Sequence, residues 1–150
     1  MAGPNASGPP GDRVLEVFGE TVIIRGDPAG ALVDAAVIEE IVPPGGGAPL
    51  HRHGREDEIC YVIEGTFRIW RGDDVLDVGP GGIALLPRHQ VHTFKNIGGG
   101  AGRLLTVIQP AGLERFFEVI AARDLGEDDI GEIATVAAEF DLEILGPLPG

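Results

Sequence analysis

Cysteine occurs once in the 150 residues, at Cys60, so no disulfide can close within the chain and a reducing compartment suits it. Cationic side chains are scarce: 11 Lys and Arg stand against 24 Asp and Glu, for a formal net charge of -13. That balance argues against nucleic acid or an anionic membrane surface as a partner bound through bulk charge. Long apolar runs are missing as well, and nothing approaches the roughly 20 residues of a membrane span. Met1 to Pro10 has neither the basic region nor the apolar core of a secretory signal, so a cytoplasmic location is expected. Without such a signal, the sequon Asn5-Ala6-Ser7 is read as chance.

What the chain does have is glycine and proline, 24 and 12 residues, set mostly between short apolar runs. Closely spaced β-prone runs with glycine turns predict an all-β sandwich or barrel. Val14 to Phe18 and Thr21 to Arg25 read as a hairpin. Ala31 to Val42 allows helix by its Ala and Glu content, but Val33, Val37, Ile38, Ile41 and Val42 before Pro43-Pro44 fit a strand at least as well. Further strands are expected at Glu58 to Ile63, Thr66 to Arg71, Val75 to Val78, Ile83 to Leu86 and Leu104 to Gln109, the last taken as the final strand of the barrel. The period then changes. Leu113, Phe116, Phe117 and Ile120, then Ile130, Ile133, Ala137 and Phe140, recur at helical spacing, predicting amphipathic helices over 113–123 and 128–140. Leu142 to Leu145 reads as a brief apolar tail, and Phe116 and Phe117 as packing of a helix on the barrel. One domain is expected, with a disordered tail over 1–13, a barrel over 14–110 and a helical extension packed on it over 111–150.

All four histidines (His51, His53, His89 and His92) fall in the stretch from Gly45 to Asn96. Neutral imidazole ligates metals, and a carboxylate adds negative charge to such a site. In an extended segment, His51 and His53 share one face of a strand and Arg52 takes the other. Glu58 opens the next strand, and His92 opens a third run, Val91-His92-Thr93-Phe94. Three strands can thus aim three imidazoles and one carboxylate at a common point. Glu56 has the same parity as Glu58 but follows His53 too closely for the strand reversal, so Glu58 ranks above it.

At these residues the sequence resembles the cupin superfamily. The first motif of that superfamily, G-x5-HxH-x4-E-x6-G, is met by Gly45, His51, His53, Glu58 and Gly65. The second, G-x5-PxG-x2-H-x3-N, is met by Gly81, Pro87, His92 and Asn96. His89 stands where the motif has glycine. It is read as a turn residue at the surface, since His tolerates positive φ better than most residues. The resemblance implies a double-stranded β-helix, a jelly-roll barrel, and a divalent transition metal on His51, His53, Glu58 and His92. Fe(II) is favoured, with Mn, Ni, Cu or Zn as alternatives, since the ligand types alone do not choose.

If Glu58 points inward, Cys60 and Val62 do too, while Ile59, Tyr61 and Ile63 face away. Phe94 accompanies His92 by the same count, so Cys60, Val62 and Phe94 are expected to line a small-molecule pocket. Cys60 reads as a small buried apolar residue, with no base to make it a nucleophile. The activity the resemblance implies is a dioxygenase-type oxidoreductase of the quercetin dioxygenase-like group, acting on a flavonol-like or polyketide-like enol bound to the metal, with Glu58 as catalytic proton acceptor. An isomerase or cyclase that needs no oxygen, and a non-catalytic binding module, are the alternatives. Many cupins are homodimers, and a homodimer is allowed here, though no residue fixes its contact face.

Overall fold

The computed structural model describes residues 11–26 and 33–150. Most of the expected amino-terminal tail and of the turn cluster at 26–30 therefore lies outside the described residues. The chain runs β1 (Arg13–Val17), β2 (Glu20–Arg25), β3 (Ala36–Val42), β4 (Leu50–His53), β5 (Asp57–Glu64), β6 (Phe67–Arg71), β7 (Asp74–Val78), β8 (Ile83–Leu86), β9 (His92–Asn96) and β10 (Gly102–Gln109). Helices α1 (Glu114–Ala122) and α2 (Ile130–Glu139) follow, and β11 (Leu142–Gly146) ends the fold.

Two antiparallel sheets result, in the orders β1-β2-β3-β10-β5-β8 and β11-β4-β9-β6-β7. Together they form the jelly roll, and the two helices follow the tenth strand. The alternation is visible residue by residue. Val22 and Ile24 of β2, and Leu104, Thr106 and Ile108 of β10, are buried, while the residues between them are partly exposed. Gly65 sits at φ 89° where β5 turns into β6, a conformation open to glycine and strained for most side chains. His89, the motif's missing glycine, adopts φ 72° at the surface, and its N–H donates to the His53 carbonyl at 2.7 Å.

The apolar interior has two clusters. Val42, Val62, Phe67, Ile69, Leu86 and Leu104 fill the region between β5, β6 and β8. Val22, Ile24, Ile38 and Ile108 meet Phe116, Ile120, Ile133 and Val136, so the helices cover one end of the barrel. Each such side chain contributes roughly 1.5–3 kcal/mol on burial, enough to dock helices too short to persist alone. No helix among the described residues is long and apolar enough to cross a membrane.

Three expectations shift. The strand read over 31–42 begins only at Ala36; Asp34 instead accepts a hydrogen bond from the Ala111 backbone N–H at 3.1 Å. The first strand starts at Arg13, inside the span read as tail. The largest difference lies at the carboxyl end. Leu142 to Leu145, read as an apolar tail, belongs to β11, which pairs with β4 through Leu142 opposite His53 and Ile144 opposite His51. The barrel's last strand is therefore β11, not β10. Five residues of modest β-propensity carry little local signal, and their strand character comes from the vacant edge of β4.

Candidate metal centre

β4 carries His51 and His53 on one face, β5 carries Glu58, and β9 carries His92 directly opposite His51. Arg52 lies on the other face of β4 and pairs with Glu143. The register brings one donor atom from each of His51, His53, Glu58 and His92 within 4.8 Å of one another. The imidazole centroids are 4.4 to 5.1 Å apart. Glu58 Oε1 is 3.0 Å from His92 Nε2 and 3.2 Å from His53 Nε2.

The outward nitrogens are held from behind. His51 Nδ1 donates to the Pro49 carbonyl at 2.7 Å and His92 Nδ1 to the Gln90 carbonyl at 3.2 Å, which turns each Nε2 towards the centre. His53 Nδ1 faces Glu56 Oε1 at 3.7 Å, beyond hydrogen-bond range. Glu56 is itself buried and stands behind the histidine rather than among the inner donors. Such backing of the second ring nitrogen by a carbonyl or carboxylate is the usual support of ligating histidines.

With its Nδ1 proton committed, His51 presents a lone pair inward; His92 Nε2 lies within hydrogen-bond distance of Glu58 Oε1, and neither ring nitrogen of buried His53 has a partner in hydrogen-bond geometry. Burial, with His92 and His53 alongside, lowers the His51 pKa to about 3, so that ring is a neutral donor. Burial alone would lower the His53 pKa too, but Glu58 and Glu56 outweigh it and raise it to about 9. Burial opposes ionisation of Glu58, yet His53 and His92 hold its carboxyl well below the usual range. Three imidazole nitrogens and one carboxylate oxygen, with no lysine or arginine among them, match what a divalent transition metal takes once the His53 proton has left.

The donors open into a cavity of about 740 Å³, and Cys60 and Phe94 line it. Val62 does not. It points inward as its parity requires but lies fully buried in the core cluster rather than on the cavity. Burial pushes the Cys60 thiol up to about 12, and its Sγ lies 3.7 Å from Thr106 Oγ1; it is an inert wall residue. Gly47 lies at the rim against β9, where a Cβ would strike the Phe94 carbonyl oxygen.

The cavity also holds two acids that the motif spacing does not reveal. Glu20 and Glu40 are buried and line the same space. Burial, then the neighbouring Glu40, raises the Glu20 pKa to about 10; burial and the Glu58 charge raise that of Glu40 to about 7, although the hydrogen bond from Glu20 works against them. The signal was available: Glu20 shares parity with Val22 and Ile24, and Glu40 with Ile38 and Val42. Phe116, Phe117 and Ile133 of the helices complete the apolar wall.

Residues 38–108 match the cupin domain family. An uncharacterised protein of Methanocaldococcus jannaschii is 30% identical over 78 residues, which cover 52% of this chain and 62% of that protein, so the chain spans less than two thirds of that relative. Among solved structures, KdgF from Halomonas sp. is similar with a TM-score of 0.58 at 20% identity, covering 65% of this chain and 84% of that one. An RmlC-like cupin from Shewanella frigidimarina gives 0.60 at 18% identity over 69% and 88%. A Streptomyces PAC13 variant with uridine gives 0.62 at 13% identity and covers 93% of this chain and 88% of its own. At these identities the likeness is one of fold.

Proposed function

This chain belongs to the cupin superfamily, and on that premise we propose that it is a metal-dependent enzyme of the dioxygenase type, acting on a small enolic or hydroxylated molecule of flavonol-like or polyketide-like form. The observation that carries the reading is the convergence of three imidazoles and one carboxylate on the wall of an apolar cavity of about 740 Å³. His51, His53, Glu58 and His92 would hold the ion, with Fe(II) favoured. Bound there, it would supply Lewis acidity towards a substrate oxygen and a route for electrons between substrate and dioxygen.

The chain's own residues do the rest. Pro49 and Gln90 fix the tautomers of His51 and His92 through their Nδ1 protons. Phe94, Ile38 and the helix residues Phe116 and Ile133 exclude water from the reacting carbon. Glu58, held ionised, takes the hydroxyl or enol proton through its carboxylate oxygen, and its position between His53 and His92 keeps that oxygen directed into the site. The small-molecule partner enters beside Gly45 to Gly47, where glycine backbone forms the rim. A cytoplasmic setting, with its reduced metal pool, suits the buried free thiol.

Anaerobic loading with Fe(II), followed by oxygen-uptake measurement with flavonols and other enediol compounds, tests the proposal. Uptake is expected with the wild type and should be lost in His51→Ala. Uptake that persists unchanged in that variant overturns the reading. Turnover under argon would replace it with the isomerase or cyclase alternative on the same ligands, and thermal stabilisation by a ligand without product would favour the binding module.

A further inference from the structure

Glu20 and Glu40 sit on neighbouring strands of the inner wall. Val22 is opposite Glu40 in the β2–β3 register, which places Glu20 two residues along on the same face. Both side chains are more than nine-tenths buried, at 6% and 7% exposure, and they are neighbours on the cavity wall. Glu20 Oε1 is sealed from solvent and has no hydrogen-bond partner. The adjacent residue, Glu39, is equally buried but points the other way, to Arg25 and Arg103 at 2.5 and 3.3 Å. Among the described residues no arginine or lysine lines the cavity, and no ion pair reaches Glu20 or Glu40.

Two facing carboxylates without a cation cannot both stay ionised in an apolar wall; one proton between them removes the conflict. The pair then carries one negative charge, and on this stretch of the cavity lining Glu20 Oε1 has no protein donor. A buried acceptor left unmade costs free energy, and the only remaining source of a donor is what enters the cavity.

We propose that Glu20 and Glu40 form a second polar site of this cavity, a carboxyl–carboxylate pair that grips a hydrogen-bond-donating hydroxyl or amino group of the bound molecule. It rests on the functional reading above only in taking that molecule to be the substrate; the pair itself needs neither metal nor oxygen. It would fix one group of the molecule while the metal centre addresses another, and it selects against anionic or donor-free groups at that position.

The test uses the full chain, metal-free, with matched small aromatic probes. Phenol and aniline carry the donor; anisole and N,N-dimethylaniline have it masked. By NMR titration, the wild type should bind each donor about tenfold more tightly than its masked counterpart, as a hydrogen bond to a charged acceptor would give. Glu20→Gln should keep that preference, because a carboxamide N–H replaces the shared proton and leaves Glu40 as acceptor. The double variant Glu20→Leu with Glu40→Leu places apolar side chains in an apolar wall, so its fold is secure, and there the preference should vanish. Equal binding of both probe classes by the wild type, or a preference surviving in the double variant, overturns the proposal. Carbon-13 carboxyl shifts give a second check without any variant: one protonated Glu side chain is expected at neutral pH, and full ionisation of both overturns the pair. Failure of oxygen uptake with the preference intact would sink the dioxygenase reading and leave this site standing; the converse result would do the reverse.

Discussion

The cavity has two polar regions that solve one problem in different ways. At the metal centre, His53 and His92 stand 3.2 and 3.0 Å from the same Glu58 oxygen, and nitrogen donors surround the carboxylate. On the same sheet as Glu58, Glu20 and Glu40 are neighbours with no cation beside them. Burying an isolated charge costs several kcal/mol, so each region must cancel its charge or not carry it. The first does so by presenting a site for a cation. The second keeps a proton. Glu39, next to Glu40 on β3, shows a third solution on the outer face, where two arginines reach it. The difference teaches that a buried acid's role is set by what its face of the strand meets, not by its depth.

The largest expected effect falls on the metal region. His53→Ala should lower transition-metal affinity by more than about a hundredfold, since loss of outer-shell support alone costs ligating sites 10–100-fold. The linked proton sharpens the test. The metal-free His53 pKa is raised from 6.5 to about 9, so its contribution to stability is complete below 6.5 and fades as pH rises through about 9. A metal needs the neutral ring, so uptake between those values should release a proton from this residue. Calorimetry in buffers of different ionisation enthalpy reads that proton, and metal affinity unchanged in His53→Ala would erase the contrast between the two regions.

A smaller effect is expected at the carboxyl pair. The Glu20 pKa is raised from 4.5 to about 10, so its contribution to stability is complete below 4.5 and is lost as pH rises towards 10. Glu20→Gln does not titrate. Its melting temperature should therefore gain on the wild type between pH 5 and 9, by up to a few kcal/mol in stability. A gap that stays constant with pH would mean the pair does not hold a proton.

The smallest effect belongs to the outer surface. Arg52 lies between the two β4 histidines in sequence, but its guanidinium pairs with Glu143, and both side chains are more than two-fifths exposed. Arg52→Ala should cost no more than about 1 kcal/mol in thermal unfolding and leave metal affinity unchanged. A large loss of metal would show that the two faces of β4 are coupled after all.

Much of the centre was legible because strand parity is local. His51 and His53 two apart, Cys60 in phase with Glu58, and Ile59, Tyr61 and Ile63 facing out all follow from period two once the strands are granted. The helices showed themselves through Phe116, Ile120, Ile133 and Ala137. Val62 illustrates the limit: parity gives its direction but not whether core side chains or open cavity lie in front of it. β11 and the Glu20–Glu40 pair mark the same boundary. Neighbouring strands decide what lies opposite Leu142 or Glu40, and those partners are 89 and 18 residues away in the chain for His53 and Val22.

By itself the sequence determined the alternation of faces, the turns, the two helices and the set of donor side chains offered to the interior, because each depends on residues within a few positions of one another. Only the tertiary structure decided that β11 closes the edge of β4, that the helices wall a cavity, and that two glutamates share its lining. Those features arise from register between strands distant in the chain, and register is fixed by the packing of the whole barrel rather than by any local preference.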